Sequence, residues 1–256
     1  MAIKESTHWY DRDGKPAYTV IGKNGRERNT TLRDAREMNL YPSVTTIIGV
    51  AAKPSLENWK IDQALLSALT LPQREDESLD DFIKRAKQDA KEQGIKAAQR
   101  GTEIHAQIEE GFSGKDSPAY QAVRVELDKL FPDRDWVAEG SFASDIGFGG
   151  KIDLYGEDVF VDFKTKDGLP DKAPVYDEHG MQLSAYAQGM GVSQPQRLSI
   201  FIDRNDPTKV LSHLWDEDSH QKHLDMFLSL LAYWQSSKNY KPSISIKDEV
   251  KNANIS

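Results

Sequence analysis

Short runs of apolar residues separated by turn chemistry occupy the start of the chain. Trp9-Tyr10 and residues 17–21 read as strands on either side of Asp11-Arg12-Asp13-Gly14, and Lys23-Asn24-Gly25 marks a second turn. Residues 31–39 predict a short helix. Ser43 and Ser55 each read as N-caps, and residues 59–69 carry helical apolar spacing. The acidic stretch 76–81 is a connector that ends in a helix start at Ser78. From 79 to 112 the period is helical, with Gly94 and Gly101 as interruptions or close-packing points. A further helix over 118–131 opens with Pro118, a residue tolerated at a first helical position.

The period then changes. Residues 136–143, 151–155 and 159–165 predict three strands, the last two joined by a tight turn at Gly156-Glu157-Asp158. A helix at 181–190, strands at 198–203 and 210–215, and a helix reaching 234 follow. This order predicts an α+β fold: a mixed central sheet flanked by helices, preceded by an N-terminal, mainly helical extension. The expected divisions are an extension over 1–94, a core over 95–246 and a flexible polar tail over 247–256.

Composition narrows the picture. The 256 residues are 38% hydrophobic and 29% charged, the balance of an ordinary globule rather than a disordered chain. With 33 basic and 41 acidic residues the net charge is −8, which excludes a uniformly basic nucleic-acid coat. A polyanionic partner must therefore meet a local patch. One candidate is residues 82–100, where Lys84, Arg85, Lys87, Lys91, Lys96 and Arg100 outnumber Asp89 and Glu92; a solvated helix face is the equal alternative. No apolar run reaches the roughly 20 residues of a bilayer span, so no membrane partner is expected. The first ten residues lack a signal core or an Arg-rich transit pattern, and a cytoplasmic location is expected. The absence of cysteine excludes disulfides, thiolate zinc sites, a cysteine nucleophile and a cysteine-held iron–sulfur cluster.

The sharpest local chemistry lies in Val159-Phe160-Val161-Asp162-Phe163-Lys164-Thr165. Successive strand side chains face opposite ways, so Asp162 and Lys164 share one face while Val161 and Phe163 enter the core. Lys151-Ile152-Asp153-Leu154-Tyr155 places a second acid, Asp153, on a neighbouring strand. Two carboxylates brought together suit a hard divalent cation, and a nearby lysine can hold a water or steady charge building on a phosphate. Alone, Asp-x-Lys is most often a surface ion pair. Its companions sharpen it: His105, at the edge of the Ile104/Ile108 stripe with Glu109 one turn on, and the i, i+4 pair Gln182 and Tyr186.

The ordered set Gly101-Thr102-x-x-His105, Gly150-Lys151-Ile152-Asp153, Asp162-Phe163-Lys164-Thr165 and Gln182-Leu183-x-x-Tyr186 resembles the PD-(D/E)XK nucleases of the RecB-like branch. Tyr41-Pro42-Ser43-Val44-Thr45-Thr46-Ile47-Ile48, then Lys53-Pro54-Ser55-Leu56 and Trp59, looks like the N-terminal part of stand-alone members such as phage exonucleases and the mitochondrial genome maintenance exonuclease. The resemblance implies a restriction-endonuclease-like core and a metal-dependent DNA exonuclease that leaves 5′-phosphates in recombination, repair or phage DNA processing. It implies that His105, Asp153 and Asp162 ligate one or two Mg²⁺ or Mn²⁺ ions, with the Phe163 carbonyl as a further ligand. Lys164 then orients or activates the attacking water, and Gln182 and Tyr186 contact DNA near the scissile phosphate. Glu139 stands where relatives often carry an acid, with a surface strand residue as the equal alternative. The implied partners are single-stranded or duplex DNA ends and a phage single-strand annealing or single-strand-binding protein.

Other features are decoys or stay open. Gly147-Phe148-Gly149-Gly150-Lys151 fails as a phosphate loop because Asp145 replaces the first glycine and Ile152 the Ser or Thr, so no nucleotide cofactor is expected. His220-x-x-His223 has metal-like spacing but no further ligand, and reads as a helix surface. His179, one turn before Gln182, is unassigned. Trp9, Tyr10, Tyr18 and Tyr41 fit core positions better than base-stacking ones. A structure-dependent or CRISPR-adaptation-type endonuclease is the rival enzyme. An inactive DNA- or protein-binding module is the rival of another class.

Overall fold

The computed structural model of the chain describes residues 8–243. The expected tail over 247–256 lies outside the described residues. Strand β1 (Trp9–Tyr10) pairs antiparallel with β4 (Tyr41–Pro42), and between them β2 (Thr19–Ile21) and β3 (Glu27–Asn29) form a hairpin. Helix α1 (Leu32–Met38) begins at a capping box in which Thr31 and Asp34 satisfy each other's backbone N–H, and it stops at Asn39 in the left-handed region. Ser43 caps α2 (Val44–Ile48). Ser55 does not cap α3 (Pro54–Thr70): the helix starts one residue earlier, with Pro54 at its first position and Lys53 before it. Proline has its φ already set for a helix and no N–H to satisfy, so it takes the start that Ser55 was expected to mark. The apolar stripe of α3 is largely solvent-facing, with Ile61, Leu65 and Leu69 exposed.

Helix α4 (Leu79–Phe112) runs unbroken for 34 residues from its Ser78 cap. Neither Gly94 nor Gly101 interrupts it: Gly101 is a close-packing point, and Gly94 lies in ordinary contact distance of its neighbour. A Cβ at Gly94 would sit 3.6 Å from the Trp59 ring, and one at Gly101 only 2.7 Å from Thr165 Oγ1. The helix passes straight through residues 94–95, where the boundary between extension and core was expected. Glycine in a helix costs about 1 kcal/mol against alanine, which close packing offsets. Trp9, Leu40, Val44 and Ile47 of the first fifty residues also share one apolar cluster with Phe148, Leu183, Tyr186 and Trp234.

After α5 (Pro118–Leu130) come β5 (Val137–Ser144), β6 (Phe148–Gly156), β7 (Val159–Lys166), α6 (Asp177–Gly189), β8 (Gln196–Asp203), β9 (Val210–Leu214) and α7 (Ser219–Lys238). The strands form one five-stranded sheet in the order β5-β6-β7-β8-β9, antiparallel except for the parallel pair β7/β8 that α6 connects. The protein is therefore α+β, a mixed sheet flanked by helices. One face packs against α4 and α5 through Ile104, Ile108, Val123, Leu127, Val161 and Phe163. The other packs against α2, α6 and α7 through Ile47, Phe160, Leu183 and Phe227. Because both faces are covered, β7 is buried from Val159 to Phe163, polar Asp162 included. Trp9, Tyr10 and Tyr41 are buried as core residues, and Tyr18 is half-buried with its hydroxyl on that of Tyr10. Among the described residues no helix is long and apolar enough to cross a membrane.

Replacing Gly101 with valine forces α4 away from Thr165, and overpacking of this kind costs about 1–3 kcal/mol. The denaturation midpoint of Gly101→Val should fall accordingly; an unchanged midpoint would show that α4 does not seat closely on β7.

Candidate active site

The ladder between β6 and β7 is short. It pairs Gly156 with Val159, Tyr155 with Phe160 and Leu154 with Val161, then stops, although both strands continue. Past that point the Asp153 carboxylate takes the role of a neighbouring strand: its Oδ2 accepts the Phe163 N–H at 2.8 Å. The gap between the strands is where chemistry from both faces of the sheet meets.

From the α6 face, Asp162 is 1% exposed, and its carboxylate is surrounded by donors. Lys164 Nζ donates to Oδ1 at 2.7 Å, and Gln182 Nε2 donates to the same oxygen at 2.7 Å. Gln182 also gives a hydrogen bond to the Tyr186 hydroxyl at 2.8 Å and accepts one from Lys164 at 3.1 Å through its Oε1. Lys164 Nζ lies 2.5 Å from Oδ2 as well, but without the alignment of a hydrogen bond. That oxygen is buried with a lone pair unused. Burial pushes the Asp162 carboxyl pKa up and the Asp153 charge adds to it, while the Lys164 ammonium pulls it down. Burial likewise raises the Tyr186 phenol well above its ordinary value, so it stays neutral.

From the α4 face comes His105. Its ring meets Phe163 edge-on at 6.0 Å between centroids, and its Nδ1 stands 3.8 Å from Asp153 Oδ2. His105 and Asp162 approach from opposite sides of β7, with Asp153 between them. The donor chemistry, two carboxylates, an imidazole and an orphaned buried oxygen, fits a hard divalent cation. Among the described residues, however, no three His, Cys, Asp or Glu groups converge on one point. The expected three-ligand set is instead two adjoining pairs, with the Lys164 ammonium neutralising Asp162.

The other expected residues separate. Glu139 on β5 lies between the paired positions Ala138↔Leu154 and Gly140↔Ile152, which sets it opposite Asp153 in register. Its φ of +62° is the left-handed region, rare for a residue with a side chain and a place where strain is stored. Its carboxylate pairs with Lys151. Glu109 is exposed on α4. Lys84, Lys87 and Lys91 are exposed at positions that share one α4 face, Lys84 paired with Asp81 at 3.1 Å. Lys91 lies fourteen residues before His105, about 21 Å along the helix axis. Arg85 is committed elsewhere, with Glu77 at 2.6 Å.

Beside Lys164 opens a cavity of 170 Å³ lined by Thr45, Ile48, Lys53, Lys164, Glu178, His179 and Gln182. His179, unassigned from sequence, is buried there. Burial first, then the charges of Lys164, Lys166 and Lys53, hold its pKa down at about 3, so its imidazole is neutral. Lys53 bonds Glu178 across this cavity at 2.9 Å. Neither had a local sequence signal, because the α2–α3 junction and α6 meet only in the fold. The histidine pair on α7 also departs from expectation. His223 is 2% exposed rather than on a helix surface, since α7 packs that side against α6.

No family model matches the chain, and no curated protein matches it. Among solved structures, the chain is similar to an alkaline exonuclease (LHK-Exo) from Laribacter hongkongensis, at a TM-score of 0.35 and 14% identity over 77% of this chain and 99% of that one. It is also similar to the crystal structure of SSO0001, at a TM-score of 0.32 and 13% identity over 68% of this chain and 86% of that one. Likenesses at these scores carry no argument about activity, and the site has to be read from its own geometry.

If the Gln182 amide is held by both Asp162 and Tyr186, Tyr186→Phe leaves one buried N–H without an acceptor. The expected loss is about 1–3 kcal/mol in denaturant unfolding; a change near zero would mean that this hydrogen bond is not formed in solution.

Proposed function

We propose that this chain is a divalent-metal-dependent DNA exonuclease with a PD-(D/E)XK-type site, hydrolysing phosphodiester bonds to leave 5′-phosphates. One observation carries the reading: the Asp162-x-Lys164 pair of β7, buried against Gln182 and Tyr186, with Asp153 and His105 adjoining across the strand gap. An isolated surface ion pair would have none of this support. DNA recombination, repair or phage DNA processing is the proposed setting, with DNA ends as the substrate.

Asp153 and Asp162, with His105, would hold Mg²⁺ or Mn²⁺, which supplies a water of lowered pKa and polarises the phosphate. The rest of the chemistry belongs to side chains of the chain. Lys164 stands at the boundary between a fully buried carboxylate and solvent, its side chain 27% exposed. An ammonium has three donors; one goes to Asp162 and one to Gln182. The third is left to orient a water or to stabilise negative charge as it builds on a phosphate oxygen. Gln182 ties the Lys164 ammonium and the Asp162 carboxylate together, so the two keep one relative placement. Tyr186, a neutral phenol, takes the other Gln182 N–H and fixes which way the amide points. A further cation at this site would relieve the like-charge pressure of Asp153 on Asp162 and meet the unused Oδ2 lone pair. The exposed lysines of α4 supply positive charge on the helix that carries His105, which offsets the acidity of the chain along one track.

End-labelled linear and circular DNA, incubated with Mg²⁺ or Mn²⁺, tests the reading. Linear DNA should be degraded to products with 5′-phosphates, circles should survive, and chelation should abolish cleavage. Asp162→Asn and Lys164→Ala should each lower the rate by at least roughly 10²-fold. Cut circles would make it an endonuclease, and tight binding without cleavage a binding module. Full activity in both folded variants would remove the site assignment.

Charge reversal at Lys84, Lys87 and Lys91 together should weaken DNA binding and reduce the slope of log affinity against log salt by about 2–3. An unchanged slope would place the DNA elsewhere.

A further inference from the structure

Arg197, on β8, is completely buried, and among the described residues no carboxylate bonds to it. Burial lowers its pKa to about 10, which leaves it charged at neutral pH. Four neighbours accept from it: Ser184 Oγ at 3.0 Å, His223 Nδ1 at 3.0 Å, the Asp216 carbonyl at 2.6 Å and Ser219 Oγ at 2.9 Å. A guanidinium only donates, so His223 Nδ1 must carry a lone pair. The ring proton then sits on Nε2, which faces Asp177 Oδ1 at 3.3 Å. Ser184, having accepted from Arg197, turns its own hydroxyl toward His220 Nδ1 at 3.1 Å.

Apart from the bond to the Asp216 carbonyl, in the loop between β9 and α7, each of these bonds touches α6 or the start of α7. Asp177 opens α6, and Ser184 lies between Gln182 and Tyr186. The His223 ring also rests on the α6 backbone, since a Cβ at Gly180 would come within 2.5 Å of its Cε1. The charged and titratable groups around His223 are Asp177 from α6, Arg197 from β8, and His220 and Lys222 from α7, with the Trp215 ring 5.0 Å away.

We propose that Arg197 and a neutral His223 form a proton-sensitive clamp on α6, and that they are positioning residues for Gln182 and Tyr186. The clamp rests on the nuclease reading only in the use made of those two side chains. Protonation puts an N–H on Nδ1, opposite the Arg197 donor, and sets two positive charges side by side in a buried space. Arg197 loses an acceptor, and α6 loosens from β8 and α7. The sign follows from the environment: burial, reinforced by Arg197 and Lys222, holds the folded-state pKa below its ordinary value of 6.5 against the opposing pull of Asp177. The unfolded chain thus binds the proton more readily. The clamp's contribution is complete above that value and is lost as pH falls through the folded-state pKa.

Amide exchange of residues 181–187, followed by mass spectrometry from about pH 8 down to about pH 4.5, tests this without DNA. The comparison is His223→Gln at each pH, because a glutamine amide offers an acceptor oxygen and a donor nitrogen but takes no proton in this range. At the acid end wild-type α6 should exchange roughly tenfold faster than the variant, with the two alike at the alkaline end. A ratio constant across the range overturns the clamp. Should the variant not fold, wild-type α6 exchange, corrected for intrinsic rates, must still rise at acid pH relative to an α5 peptide; parallel curves overturn it equally.

Cleavage is the second readout. His223→Ala should lose kcat more than KM, and His223→Gln should recover most of that loss. Wild type that cleaves no DNA defeats the nuclease reading and leaves exchange to judge the clamp. Cleavage with a flat exchange ratio defeats the clamp alone.

Discussion

The buried carboxylate of Asp162 governs the architecture around it. An ionised carboxylate removed from water costs several kcal/mol unless donors surround it, and this one is 1% exposed in the middle of a sheet covered on both faces. Lys164 from the same strand and Gln182 from α6 supply the donors. Once that is required, α6 must cross the sheet with Gln182 directly over Asp162. The parallel pairing of β7 with β8 follows from the same crossover, since α6 is the connection between them. The burial that makes the carboxylate expensive also strengthens its interactions, since a charge held in a low dielectric interacts strongly with any ion that comes near.

A second constraint comes from the parting of β6 and β7. A continuous ladder would have given the Phe163 N–H to a backbone carbonyl and left Asp153 with no specific role. Because the ladder ends at Leu154 and Val161, the carboxylate of Asp153 fills the vacancy in the hydrogen bonding and faces the gap. His105 reaches that gap from α4, Gln182 and Tyr186 from α6. Gly101 allows α4 to lie close enough on Thr165 for His105 to arrive there. The distorted backbone at Glu139, bracketed opposite Asp153, lies along the same line across the sheet. Strain, a broken ladder and a buried charge thus coincide along one line across β5, β6 and β7.

The net charge of −8 fits this arrangement better than it first fits a polyanionic substrate. Part of the acidity is gathered at Asp153 and Asp162, where the proposed cation would bind, and part is spent on structural pairs such as Glu77 with Arg85 and Asp34 with Arg28. Lys84, Lys87, Lys91 and Lys96 are exposed together on one long helix. Placement of a few charges, more than their sum, decides what such a surface can approach.

Much of this is legible in the sequence, and the reason is local. Alternation in a strand puts Asp162 and Lys164 on one side, and the helical repeat puts Gln182 and Tyr186 one turn apart, whatever the rest of the chain does. Caps at Ser43 and Ser78 and the turn after β6 depend on a handful of adjacent residues, so they too are legible. What depends on distant segments is not. Nothing near His223 in the chain announces that Arg197 will occupy its Nδ1, and nothing near Glu109 shows that it will face water while His105 faces Asp153. The early end of the β6/β7 ladder, the burial of His179 beside Lys53, and the joining of the first fifty residues to the same core as α6 arise from contacts between residues far apart in sequence. The sequence by itself determined which residue types recur at strand and helix spacing, because those periods are properties of the backbone. Only the tertiary structure decided which of them meet, because that is set by how the two faces of one sheet are covered.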